Sequence, residues 1–154
     1  MDYHRILPSL FVGAFPKSAG DVELLRRECG VTAVLNLQTD DDMRHFNLDW
    51  NSLQARYLAS GIELWRVPVR DFDTEDLREK LPECVRLLNH LLGAGHSVYV
   101  HCSAGAGRSP TVVAAYLHWR CGRDLDEAVT FLKRCRPCSP NVEAIRLARP
   151  WLAR

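Results

Sequence analysis

Ser97-Val98-Tyr99-Val100-His101-Cys102-Ser103-Ala104-Gly105-Ala106-Gly107-Arg108-Ser109 is a short apolar run followed by a cysteine and an arginine with only small residues between them. The run at 97–100 reads as a buried strand and the segment 109–121 as a helix, so the small residues form a loop joining strand to helix. In such a loop successive backbone N–H groups can turn inward while the helix adds its positive end. A loop built this way is a cradle for one phosphate group.

Each residue type has its own reason to be there. Cys102 must be a thiolate to attack phosphorus, and a helix N-terminus with a neighbouring arginine favours the anion. Gly105 and Gly107 are expected to relieve crowding and to permit positive φ, so that the amides of Ser103, Ala104, Gly105, Ala106, Gly107 and Arg108 converge on phosphoryl oxygens. Arg108 offers a planar fork for two of those oxygens. Ser109 is placed where its hydroxyl can hydrogen-bond the sulfur as it leaves. The Gly-Lys-Ser/Thr ending of a nucleotide-binding loop is absent.

The 154-residue chain carries a net charge of +1 and six cysteines. Its length predicts a single domain, 1–154. The mixed charge offers neither a polybasic nucleic-acid face nor a membrane-binding arm, so selectivity for an anion must be local. With no apolar run of membrane-spanning length and no signal peptide in Met1-Asp2-Tyr3-His4-Arg5, a soluble, cytoplasmic monomer is expected. Cysteine spacing fits a reducing compartment rather than a secreted disulfide framework. His118 with Cys121, and Cys135 with Cys138, have the spacing of zinc ligands, but the first pair falls on the helix behind the loop, and neither metal nor cofactor is expected.

Along the chain, Ile6 to Val12 reads as one or two strands interrupted at Pro8-Ser9, and Asp21 to Cys29 as a helix stopped by Gly30. Val31 to Leu37 is a strand, Gln38 to Asn47 a loop or surface turn, and Asp49 opens a helix to Ser60. Trp50, Tyr57 and Trp65 fall in periodic segments and are expected in the core. Ile62 to Val67 is a further strand, followed by the charged loop 70–74. Thr74 then caps a helix that Pro82 should kink or restart. Asp124 to Glu127 reads as a capping box, and Ser139-Pro140 opens the last helix. Alternating strands and helices predict an α/β fold, a central, largely parallel sheet flanked by helices with the phosphate loop between a strand and a helix.

An alkoxide leaving group needs a proton donor. Asp71 and Asp73 are the candidates, both in a loop after a strand that should end on the same side of the sheet as Cys102.

His101-Cys102-x5-Arg108-Ser109 resembles the signature of dual-specificity phosphatases in the protein-tyrosine-phosphatase superfamily, and the likeness covers nearly the whole chain. It implies the protein-tyrosine-phosphatase-like fold, hydrolysis of phosphate monoesters through a phosphocysteine intermediate, and Asp71 as general acid. Cys102-Ser-Ala-Gly-Ala-Gly-Arg108 is also similar to the loop of glucan phosphatases, the group of laforin and the plant starch phosphatases. Arg70-Asp71-Phe72-Asp73, Asp76-Leu77-Arg78, Leu81-Pro82, Arg136-Pro137-Cys138, Pro140-Asn141 and Ala144-Ile145-Arg146 resemble that group's acid loop and C-terminal motif. His45-Phe46 with Leu48-Asp49 resembles its segment bearing a glucan-contacting aromatic, and Phe72 matches a second.

The resemblance therefore implies a phosphoglucan, or a related phosphosugar, as substrate, with Phe46 and Phe72 as a sugar platform; the alternative is a protein phosphatase acting on phosphotyrosine and phosphoserine/threonine. Ser109 stands where the plant enzymes tend to have alanine. Asn36 occupies the place of a cysteine that some of them could use for redox control, so the resemblance does not carry that regulation over; a disulfide of Cys102 with Cys84 or another cysteine would require the fold to bring the two together.

Overall fold

The strand leading to Cys102 has no polar face: every residue of Val98-Tyr99-Val100-His101 is buried, the pattern of a strand covered on both sides. In the computed structural model, which describes residues 1–151, it is the centre of the sheet. The last three positions of the expected 1–154 domain lie outside the described residues.

The elements run β1 (Tyr3–Leu7), β2 (Leu10–Gly13), α1 (Ala19–Arg27), β3 (Ala33–Asn36), α2 (Asp40–His45), α3 (Trp50–Ala59), β4 (Glu63–Arg66), α4 (Thr74–Gly93), β5 (Val98–His101), α5 (Arg108–Trp119), α6 (Leu125–Cys135) and α7 (Val142–Leu147). The sheet order is β1-β2-β5-β3-β4. All neighbours are parallel except the β1-β2 hairpin, which turns at Pro8-Ser9. The expected largely parallel sheet is therefore present, with one antiparallel strand at its edge.

Strand alternation distributes the core between two faces. Leu10, Val12, Leu35, Val98 and Val100 pack with Leu81, Leu88, Val112 and Leu132 of the later helices. Phe11, Val34 and Tyr99 point the other way and meet Val22, Leu25 and Tyr57 of α1 and α3. Register then fixes the site: Gly13, Asn36 and His101 are aligned, and Arg66 is level with Asn36. The loops leaving β2, β3, β4 and β5 therefore emerge side by side at one edge of the sheet.

Five local expectations are corrected. Segment 38–47 is not simply a loop, because it contains α2, capped by Thr39, whose hydroxyl accepts the Asp42 N–H while the Asp42 carboxylate accepts the Thr39 N–H. That capping box, three acidic residues in the first turn and Arg44 with His45 in the last stabilise a six-residue helix that buries only Met43.

Secondly, α4 does not restart at Pro82 but continues through it, and Leu77, Leu81, Cys84, Val85, Leu88 and Leu91 bury one stripe on both sides of it. Thirdly, its N-cap is Asp73 rather than Thr74, and α7 is opened by Asn141, whose side chain accepts the Ala144 N–H. Lastly, of the three aromatics expected in the core only Tyr57 is buried. Trp65 lies on edge strand β4, 41% exposed, with its indole N–H donated to Glu63. Trp50 is half-buried beneath the Arg66 guanidinium.

Candidate active site

The segment after β5 crosses to α5 without a hydrogen-bonded turn, and among the described residues none of the N–H groups of residues 103–108 donates a hydrogen bond within the protein. A run of free amides at a helix start is the anion-binding arrangement the sequence implied. Gly105 is held at φ +70°, and a Cβ there would meet the Gly13 carbonyl oxygen at 2.5 Å and the Ala14 nitrogen at 2.8 Å. The loop thus rests directly on the backbone leaving β2. Gly107 differs from the expectation: its φ is −122° and a Cβ would meet nothing within 4 Å.

Cys102 is buried at the base of this loop, its Sγ 3.3 Å from Ser109 Oγ. His101 lies beneath, its Nδ1 2.9 Å from the Cys102 carbonyl oxygen; since a carbonyl only accepts, Nδ1 carries the proton. Complete burial drives the His101 pKa down to about 4, against the pull of that bond and with the help of the Arg108 charge, so the ring is neutral.

Arg108 is 3% exposed and contacts three segments. Nη1 donates to Asp42 Oδ2 at 2.6 Å and to the Val69 carbonyl at 2.8 Å. Nη2 lies 3.3 Å from both Ser103 Oγ and Asp71 Oδ2. Nε is buried without a partner among the described residues. Burial alone would raise the Asp42 carboxyl above its ordinary range, but bonds from Arg108 and from the Thr39 backbone and hydroxyl outweigh it and hold it low.

The loop between β4 and α4 separates the two candidate acids. Asp71 reaches Arg108, and its carboxylate accepts the Phe72 N–H at 3.1 Å. Asp73 is committed to capping: Oδ1 accepts the Asp76 N–H at 2.9 Å and Oδ2 pairs with Arg70 Nε at 3.3 Å. Asp76, almost fully buried, accepts the Arg70 N–H at 2.7 Å and pairs with Lys80 at 3.1 Å. Burial opposes its ionisation, but these donors prevail and its pKa is lowered.

Between the loops lies a cleft of about 290 Å³ lined by Asp71, Phe72, Cys102, Arg108, Ser139 and Asn141, among others. Phe72 stands at its rim wholly exposed, at φ +57°. Phe46 is outside this lining, packed on Phe15 with ring centroids 4.7 Å apart and 40% exposed.

Sequence reasoning missed Asp42, Gln38, which donates to Ser103 Oγ at 3.1 Å, and Ser139, whose N–H bonds the Ala106 carbonyl at 2.7 Å. The spacing Thr39-x-x-Asp42 was the one available signal. All six cysteines are free, and complete burial pushes the Cys84 thiol far up. His118 Nδ1–H bonds the Arg123 carbonyl, and among the described residues no three His, Cys, Asp or Glu side chains gather as a metal set.

An anion cradle whose cysteine, arginine and one carboxylate meet at the carboxyl edge of a parallel sheet defines a class, and comparison with known proteins agrees. The chain belongs to the family described as dual specificity phosphatase, catalytic domain, which matches residues 10–149. The phosphoglucan phosphatase LSF1, chloroplastic, of Arabidopsis thaliana is 37% identical over 148 residues, 96% of this chain and 25% of that protein. Laforin of Mus musculus is 37% identical over 147 residues, 89% of this chain and 44% of laforin. The crystal structure of human DUSP28 matches with a TM-score of 0.72 at 29% identity, covering 95% of this chain and 91% of that one. The fold is therefore protein-tyrosine-phosphatase-like and the domain is a phosphoric monoester hydrolase; the chain spans less than half the length of the two named relatives.

Proposed function

We propose that this domain removes phosphate from a phosphorylated glucan by two-step cysteine catalysis. The observation that carries the chemistry is the meeting of buried Cys102, the unpaired Arg108 Nε and the free amides of residues 103–108 in one cleft with Asp71.

Cys102 Sγ attacks phosphorus, the S–P bond forms and the P–O bond to the sugar breaks, with Asp71 giving its proton to the departing oxygen. In the second step a water attacks phosphorus as Asp71 takes its proton, and the S–P bond breaks. The Ser109 hydroxyl then steadies the returning thiolate. The loop amides and Arg108 hold the phosphoryl oxygens throughout.

Glucan is favoured over phosphoprotein by the two relatives, of which one is named a phosphoglucan phosphatase, and by Phe72, an aromatic ring wholly in solvent beside the cleft. A pyranose presents an apolar C–H face that suits such a ring. A cytoplasmic monomer is proposed with it, in keeping with a cysteine spacing unlike that of a secreted disulfide framework.

The test is phosphate release measured side by side on solubilised phosphoglucan, phosphotyrosine and phosphoserine peptides, and phosphoinositides. Preference for phosphoglucan supports the reading; preference for peptides moves the domain to the protein phosphatases. Cys102→Ser should be folded and inactive on every substrate, and native-like turnover would remove the cysteine mechanism.

A further inference from the structure

Arg108 is not free to turn in its site, and the way it is held decides which of its edges a phosphate meets. Nη1 has two hydrogens and both are used, one on Asp42 Oδ2 and one on the Val69 carbonyl. Nε–H and Nη2 share the opposite edge of the guanidinium plane. On that edge Nε has no partner, and Nη2 has only two contacts at 3.3 Å. The anchored end is thus the tightly bonded one, and the loosely bonded edge is the fork a tetrahedral oxyanion can take.

We propose that Asp42 is a positioning residue for the phosphatase reaction, clamping Nη1 so that the Nε–Nη2 edge is presented to the phosphoryl group. The proposal rests on the reading of Arg108 given above. Asp42 is fitted to this task by its own surroundings. A single oxygen, Oδ2, accepts from the Thr39 N–H at 2.8 Å, the Thr39 hydroxyl at 3.1 Å and Arg108 Nη1. The capping box that makes α2 therefore also fixes the carboxylate that Arg108 binds.

The turn ahead of α2 is held in place independently. Arg66 donates to the Gln38 carbonyl at 3.1 Å and to Asp40 at 2.8 Å, and Gln38 donates to Ser103 in the phosphate loop. Because β3 and β5 are parallel neighbours in register at Asn36 and His101, this segment must run beside the cradle. It carries Asp42 to Arg108 Nη1, the nitrogen that the Val69 carbonyl also takes.

The experiment compares Asp42→Ala, Asp42→Asn, Thr39→Ala, Arg108→Lys and the double variant Asp42→Ala/Arg108→Lys. It measures kcat and KM on para-nitrophenyl phosphate, inhibition by inorganic tungstate as an oxyanion, and Tm. Asp42→Ala should lower kcat/KM on the order of tenfold to a hundredfold, mostly in kcat, and weaken tungstate inhibition, as expected of a displaced transition-state contact. Asp42→Asn should recover most of the loss, because an amide oxygen can accept the same three bonds. Thr39→Ala removes the cap and one of the bonds on Asp42 Oδ2 but keeps the Thr39 N–H and the carboxylate itself, so it should lower Tm and cost kcat clearly less than Asp42→Ala does. In the double variant the Asp42 change should add little to the Arg108→Lys loss, because a lysine has no fork to orient.

Native-like kcat and tungstate inhibition in Asp42→Ala would overturn the proposal, and so would a Thr39→Ala loss as large as that of Asp42→Ala, or full additivity in the double variant. Native-like kcat in Arg108→Lys would instead overturn the underlying reading of Arg108, whatever the Asp42 variants do.

Discussion

Asp71 Oδ2 stands 3.3 Å from Arg108 Nη2, while Asp73, two residues further on, is occupied by the N-cap of α4. One loop thus holds two chemically identical side chains in different roles. Asp71→Asn should slow hydrolysis of alkyl phosphates far more than of aryl phosphates, because only the poorer leaving group depends on the proton. Asp73→Asn keeps a good capping side chain and should leave both rates near native. Steady-state rates on a leaving-group series check this, and equal damage from the two substitutions would remove Asp71 as the acid.

The two candidate platform aromatics also separate. Phe72 is 101% exposed, whereas Phe46 packs on Phe15. Phe72→Ala should leave Tm unchanged and relieve the backbone strain at φ +57° only slightly, so any loss on phosphoglucan reports substrate contact. Loss of a stacked ring costs roughly 1–3 kcal/mol by analogy with base stacking, about ten- to hundredfold in kcat/KM on phosphoglucan and little on para-nitrophenyl phosphate. Phe46→Ala should lower Tm as well. An equal effect of Phe72→Ala on both substrates would refute the sugar platform.

Buried His101 makes stability depend on pH in a definite window. Its pKa is about 4 in the folded protein against an ordinary 6.5, so between those values the unfolded chain binds the extra proton. Stability should therefore fall as pH drops from about 6.5 to about 4, by on the order of 3 kcal/mol, and lose nothing further from this group below that. Asp42 and Asp76, with lowered pKa values, give up their contribution only as pH falls through the ordinary 3.8 and below. Urea unfolding at pH 7, 5.5 and 4.5 measures the slope, and His101→Gln, which keeps a donor for the Cys102 carbonyl, should flatten it.

The two loop glycines should differ sharply. Gly105→Ala combines a left-handed backbone, roughly 1–2 kcal/mol for a side chain, with overlap against the Gly13 backbone. It should lower Tm strongly and abolish activity by moving the cradle. Gly107→Ala meets open space and should retain the native Tm. Thermal melts of both variants decide whether the cradle is pinned to β2 as described.

What the sequence could determine is what a few adjacent residues settle among themselves. The strand, the loop and the helix around Cys102 and Arg108 are contiguous, so residue type, apolar run and spacing identify the cradle and with it the fold class. The same locality explains the errors. A six-residue helix burying one methionine has no period to detect, and whether Trp65 is covered depends on β4 being an edge strand, which its own residues do not disclose.

Only the tertiary structure could decide which aspartate meets the arginine, that Asp42 grips it from 66 residues away, and that Gly105 must be glycine because Gly13 lies against it. These are contacts between loops carried to a common edge by parallel strands in register. Register and strand order emerge from packing both faces of the whole sheet, and no single stretch of chain encodes them.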